Sequence, residues 1–138
     1  MNINFVAVIT ATIAQFIIGA IWYMPLFGNL WGKIHGFDHK SPEAQKEMQK
    51  GMAPLLLTQF IFTFVTSFVF VLLLNGFPSD WNIYGLAGFF WLGFIVPTQV
   101  AGVIFGGTDP KWLLKKIFIM IGGSLACMMS LAFVLSVF

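Results

Sequence analysis

Four apolar runs, at about 4–23, 54–77, 81–107 and 114–137, constrain this chain more than anything else in it. None contains Asp, Glu, Arg or His, and the only lysines inside them are Lys115 and Lys116 at the start of the last. At about 1.5 Å of rise per residue, a helix of roughly 20 residues crosses the hydrocarbon of a bilayer, so each run is long enough to span one. Only 9% of the 138 residues are charged and 59% are hydrophobic. A soluble domain carries roughly 25% charged residues to wet its surface, so this composition excludes one. The expected fold is an all-α integral membrane four-helix bundle, a single membrane domain over 1–138. A short interfacial helix is expected in the amphipathic loop at 24–53.

The first run could also be read as a signal peptide. Its short n-region has no lysine or arginine, and it ends in bulky Trp22, Tyr23 and Met24 rather than in small residues suited to cleavage, so it is read as a span. Pro25 closes it, because proline lacks an N–H and disfavours helical geometry at the residue before it. At 38–50 the chain turns abruptly hydrophilic. There Ser41 suits an N-cap, Pro42 the first helical position and Glu43 the first turn, which predicts a surface helix from Pro42 to about Met52. Asn75, Gly76 and Pro78 stop the second span, and the connection to the third is short enough to make those two antiparallel neighbours.

All seven basic residues are lysines. Lys33, Lys40, Lys46 and Lys50 lie in the first connection, and Lys111, Lys115 and Lys116 at the third. Positive residues remain on the cytoplasmic side of cell membranes, so both connections, 24–53 and 107–114, are expected in the cytoplasm and both termini outside an inner membrane. Trp22, Tyr23, Trp31, Trp81, Tyr84 and Trp112 sit near span ends, where amphipathic rings are expected at headgroup depth. A net charge of +2 on so apolar a chain points to lipid headgroups and not to nucleic acid.

Pro97 lies deep in the third run and removes the hydrogen bond to the Gly93 carbonyl, so a kink or local opening is expected near Gly93. Gly102 and Gly106 form a GxxxG pair, and Gly122, Ala126 and Ser130 recur every four residues of the last run. Both sets are expected at helix contacts. Gln15, Gln59 and Gln99 fall roughly 9–14 Å from the lysine-bearing ends of their helices, in one layer where three amides could bond each other. With Thr98 they form the candidate ligand-binding set, beside the Pro97 kink.

Several chemistries are excluded by what the runs lack. Proton-coupled transport needs ionisable groups inside the membrane, and an amide at Gln15 does not titrate. Cys127 is the only cysteine, which rules out an internal disulfide, a CxxC redox pair and a cysteine zinc site. His35 and His39 have helical spacing, but Gly36 and the surrounding loop composition argue against a metal pair. No nucleophile accompanies Asp38 and His39. No catalytic residue, metal or cofactor is expected, and the chain is not expected to be an enzyme.

The segment GAIWYMPLFGNLW at 19–31, WLGF at 91–94 and FGGTDPKWLLKKIFI at 105–119 resemble a family of small bacterial membrane proteins, domain of unknown function 1761. The resemblance covers nearly the whole chain. It implies a four-helix integral membrane protein and brings no established activity with it. The expected function is that of a structural or interaction protein, an accessory subunit or small homo-oligomer whose partners are lipids and other membrane helices. The alternative is a binding or transport module for a lipid or small amphiphile, working through the glutamine layer.

Overall fold

A computed structural model describes residues 3–138, so Met1 and Asn2, the start of the lysine-free n-region, lie outside it. The chain is all-α, with no strand among the described residues. Four stretches are long and apolar enough to cross a membrane: Phe5–Leu26, Met52–Gly76, Ile83–Phe105 and Pro110–Val137.

Helix α1 (Phe5–Ile21) opens on Asn4, whose side chain accepts the Ala7 N–H at 3.1 Å. It runs into a five-residue π turn (Trp22–Leu26) that contains Pro25. Helix α2 (Gly28–Ile34) follows, and Gly36, at φ 69°, lets the chain reverse into a 3-10 turn (Phe37–His39). Helix α3 (Pro42–Lys50) starts where Ser41 accepts the Ala44 N–H at 3.2 Å, the N-cap that satisfies one of the donors left free at a helix start. Helix α4 (Met52–Gly76) is the second span.

The third span is not one helix. It is assembled from α5 (Ile83–Phe90), a second π turn (Trp91–Ile95) and α6 (Val96–Phe105). After Gly107, at φ 74°, a 3-10 turn (Pro110–Trp112) leads into α7 (Leu113–Val137).

Helix α7 is the hub. It packs against α1 on one side and against α5 and α6 on the other, while α4 packs on α1. Small side chains permit the α1 contact: Ala7 and Ala11 are buried, and van der Waals packing of this kind takes the place of the hydrophobic effect between helices in lipid. The core gathers Ala11, Phe70, Leu86, Ala87, Met128, Leu131 and Ala132 from α1, α4, α5 and α7. Spans two and three meet through aromatics near their short link, with Phe90 edge-on to Phe70 at 6.4 Å and to Phe77 at 5.9 Å.

At the other end α4 stands away from its neighbours. Every residue from 51 to 59 is exposed, on all faces of the helix. This end also carries the lysines, since the two lysine-bearing connections come together there: Lys33 and Lys111 line one pocket, and Lys116 Nζ lies 5.8 Å from the Trp31 ring.

Candidate functional site

Two features within the spans hold most of the buried polar chemistry. The first is a pair of tryptophans that grip α7. Each begins one of the two π turns, and each turn closes by an N–H five residues on, Phe27 to the Trp22 carbonyl and Val96 to the Trp91 carbonyl. Proline explains the widening. In an ordinary helix the ring of Pro25 would press on the Ile21 carbonyl and that of Pro97 on the Gly93 carbonyl, and one inserted residue relieves each clash. The opening near Gly93 is therefore a π turn, with Gly93 and Pro97 both exposed on its outer side.

The indole N–H of Trp22 donates to the Ile119 carbonyl at 2.9 Å, and that of Trp91 to the Ile121 carbonyl at 3.0 Å. Two residues turn a helix by about 200°, so the two rings hold α7 from opposite sides. Trp22 lies flat in a notch made by Gly122 and Gly123: a Cβ added to either glycine would come within 2.8 Å of the ring.

Trp22, expected at headgroup depth, is packed on α7 near the end of its span. A glycine pair offers the indole both a fitted surface and a carbonyl acceptor, which a mobile headgroup does not. The other belt aromatics lie nearer the span ends. Tyr23 and Trp31 contact each other at 4.8 Å, Lys111 and Lys115 lie over Trp112, Trp81 is exposed at the link before α5, and the Tyr84 hydroxyl is 3.2 Å from Ser136 Oγ.

The second feature is a polar seam that draws on all four spans. Gln59, Thr63 and Ser67 recur every four residues on one face of α4, passing from exposed to fully buried. Gln59 Nε2 reaches Thr63 Oγ1 at 3.4 Å, and the Ser67 hydroxyl donates to the Thr63 carbonyl at 3.1 Å. On α1, Gln15 Nε2 donates to Ser67 Oγ at 2.7 Å, and Thr12 Oγ1 lies 3.1 Å from the same oxygen. Cys127 Sγ is 3.5 Å from the Gln15 carbonyl. One turn earlier on α7, Ser124 Oγ accepts from Trp91 Nε1 at 3.0 Å and lies 3.0 Å from both Gln99 Oε1 and the Ile121 carbonyl.

The three glutamines do not form one layer or one cluster: Gln15 meets α4 at Ser67, two turns or about 12 Å along the helix from Gln59. Gln15 turns to α4, Gln99 turns to α7, and Gln59 is exposed and bonds within its own helix. Depth along the helix does not fix direction around it. Thr98, also exposed, donates back to the Phe94 carbonyl at 2.7 Å and takes no part in the seam.

The small-residue expectations divide in the same way. Gly122 receives Trp22, while Ala126 and Ser130 are half-buried, and the Ser130 hydroxyl donates to the Cys127 carbonyl at 2.8 Å. Gly102 and Gly106 are not an internal contact. Both are exposed and a Cβ on Gly102 would meet nothing within 4 Å, because buried Val103 is the residue that α6 turns inward.

Among the described residues, no three His, Cys, Asp or Glu side chains gather to hold a metal. Left-handed Gly36 separates His35 from His39; His35 Nδ1 is 2.9 Å from the Trp31 carbonyl and His39 Nε2 is 3.9 Å from Asp38.

The family model described as "Protein of unknown function (DUF1761)" matches residues 6–136. The chain belongs to the DUF1761 family. Neither a curated protein nor a solved structure matches it. Within this DUF1761 chain the match takes in both tryptophan turns and the whole seam, so the geometry above is that of the family domain and not of an appendage.

The seam has a measurable asymmetry. Ser67→Ala leaves the Gln15 amide, only 4% exposed, with a weak 3.4 Å bond to the Ala11 carbonyl, whereas Gln15→Leu removes the demanding group itself. Ser67→Ala is expected to destabilise by about 2 kcal/mol and Gln15→Leu by about 1 kcal/mol or less, read by denaturant titration in mild detergent. Equal effects would mean that the amide finds another partner.

Proposed function

We propose that this DUF1761 protein is an interaction protein of the membrane that assembles with a second copy of itself, not an enzyme, and that α4 is the helix through which it pairs. One observation carries this reading: the Gln59 amide is exposed on an isolated half-helix. It lies seven residues into α4, roughly 10 Å from the helix start, at a depth where lipid offers no hydrogen bond. A side-chain amide both donates and accepts, so Gln59 of one copy complements Gln59 of another. Polar pairs of this kind contribute about 0.6–2 kcal/mol between helices in a bilayer.

The alternative, a ligand held by the glutamine layer, has less support. Gln15 already donates to Ser67 and Gln99 already accepts from Ser124, on different helices, and Gln59 makes only its long 3.4 Å bond to Thr63 on its own helix, so the three amides do not converge on a ligand. The orientation that accompanies the proposal places the lysine-bearing end in the cytoplasm and both termini outside an inner membrane. It rests on the convergence of the two lysine-bearing connections.

The test is the dimer fraction in lipid bilayers, counted by single-molecule photobleaching over a range of protein-to-lipid ratios. Gln59→Leu is expected to weaken association about three- to thirtyfold while leaving the fold intact. A monomeric wild type, or a Gln59→Leu variant that pairs as well as wild type, would refute the proposal.

A further inference from the structure

A pocket of about 290 Å³ lies at the lysine-bearing end, between the turn that follows α2 and the turn that precedes α7. Its charged lining is balanced: Lys33 and Lys111 face it with Asp38 and Asp109, beside His39 and Trp112. The two glycines with positive φ, Gly36 at 69° and Gly107 at 74°, fold the two connections so that these groups share one cavity. The pocket sits where one span has ended at Leu26 and the last begins at Pro110, the depth of lipid headgroups.

We infer that this pocket holds the headgroup of an amine-bearing zwitterionic phospholipid, its phosphate against Lys33 and Lys111 and its ammonium toward Asp38 and Asp109. The inference goes beyond the pairing of α4 and does not require it. A phosphate at this depth needs cations. Lys33 forms no ion pair among the described residues, and Lys111 Nζ is held only loosely, 3.6 Å from Asp109 Oδ2.

The carboxylates decide between headgroups. An anionic headgroup would bring a net negative charge against both of them, while a primary ammonium answers them with N–H donors. A choline headgroup has no N–H to offer. Asp109 keeps Oδ1 for the Lys111 backbone N–H at 3.1 Å, and Oδ2, 3.6 Å from Lys111 Nζ, is the oxygen that an ammonium would share.

Native mass spectrometry of the full chain, released from detergent with phosphatidylethanolamine, phosphatidylglycerol and phosphatidylcholine of the same acyl chains, tests this. The ethanolamine lipid is expected to be retained over the other two. Lys33→Ala with Lys111→Ala is expected to reduce that retention about fivefold, the scale of a partly exposed charge contact. Asp38→Asn with Asp109→Asn keeps the backbone cap and is expected to shift preference toward the glycerol lipid. Wild-type preference for the glycerol lipid, or retention indifferent to either pair of substitutions, would overturn the inference. Displacement by free phosphoethanolamine, without preference among intact lipids, would also overturn it in favour of a soluble ligand.

Discussion

Trp22→Ala is expected to destabilise this protein by about 3 kcal/mol, the largest effect of any single truncation considered. Trp→Ala in a packed interior costs roughly 3–5 kcal/mol, and the lower end applies here because lipid tails can refill part of the space. Two losses combine. The indole covers the Gly122–Gly123 notch on α7, and its N–H satisfies the Ile119 carbonyl at 2.9 Å. Trp22→Phe separates them: it keeps a flat ring and loses the hydrogen bond, so its expected cost is nearer 1 kcal/mol. Denaturant titration in mild detergent measures both. If Trp22→Ala were as mild as Trp22→Phe, the ring would not be what joins α1 to α7.

The sequence carried the number and approximate position of the helices long and apolar enough to cross a membrane, because hydrocarbon is a simple solvent: a helix either is or is not apolar over its thickness. It also carried the disturbance at Pro97, since a missing N–H and a clashing ring are local facts. The form of the disturbance was less accessible. A kink and a π turn both relieve the clash, and the choice depends on where Trp91 must point to reach the carbonyl of Ile121 on another helix.

The same boundary runs through the polar residues. Counting residues put three glutamines at one depth, yet Gln15 meets α4 two turns along from Gln59, and Gln15 and Gln99 face different helices, because level and azimuth both depend on how α7 and α4 are set against α1. Ser67 and Thr63, missed as seam residues, did have a signal: with Gln59 they repeat every four residues along an otherwise apolar helix. Thr12, three residues before Gln15, had one too. Ser124 had none, being a single hydroxyl in a small-residue run.

The glycine notch yields the other large effect, because neighbouring positions of the same residue type should respond unequally. A Cβ at Gly123 would lie 2.8 Å from Cδ1 and 2.9 Å from Nε1 of Trp22, the inner part of the indole, which cannot move without breaking the bond to Ile119. A Cβ at Gly122 would meet the outer rim, Cζ2 at 2.8 Å and Cη2 at 3.2 Å, which a small swing of the ring relieves. Overpacking costs about 1–3 kcal/mol, and alanine regains up to about 1 kcal/mol of helix propensity over glycine. Gly123→Ala is therefore expected to destabilise by about 2 kcal/mol, while Gly122→Ala should fall close to neutral. Adding Trp22→Ala to Gly123→Ala removes the ring that the methyl strikes, so the double variant should be less destabilised than the sum of the single changes. Simple additivity, or a Gly122→Ala variant as unstable as Gly123→Ala, would show that the indole does not rest in this notch.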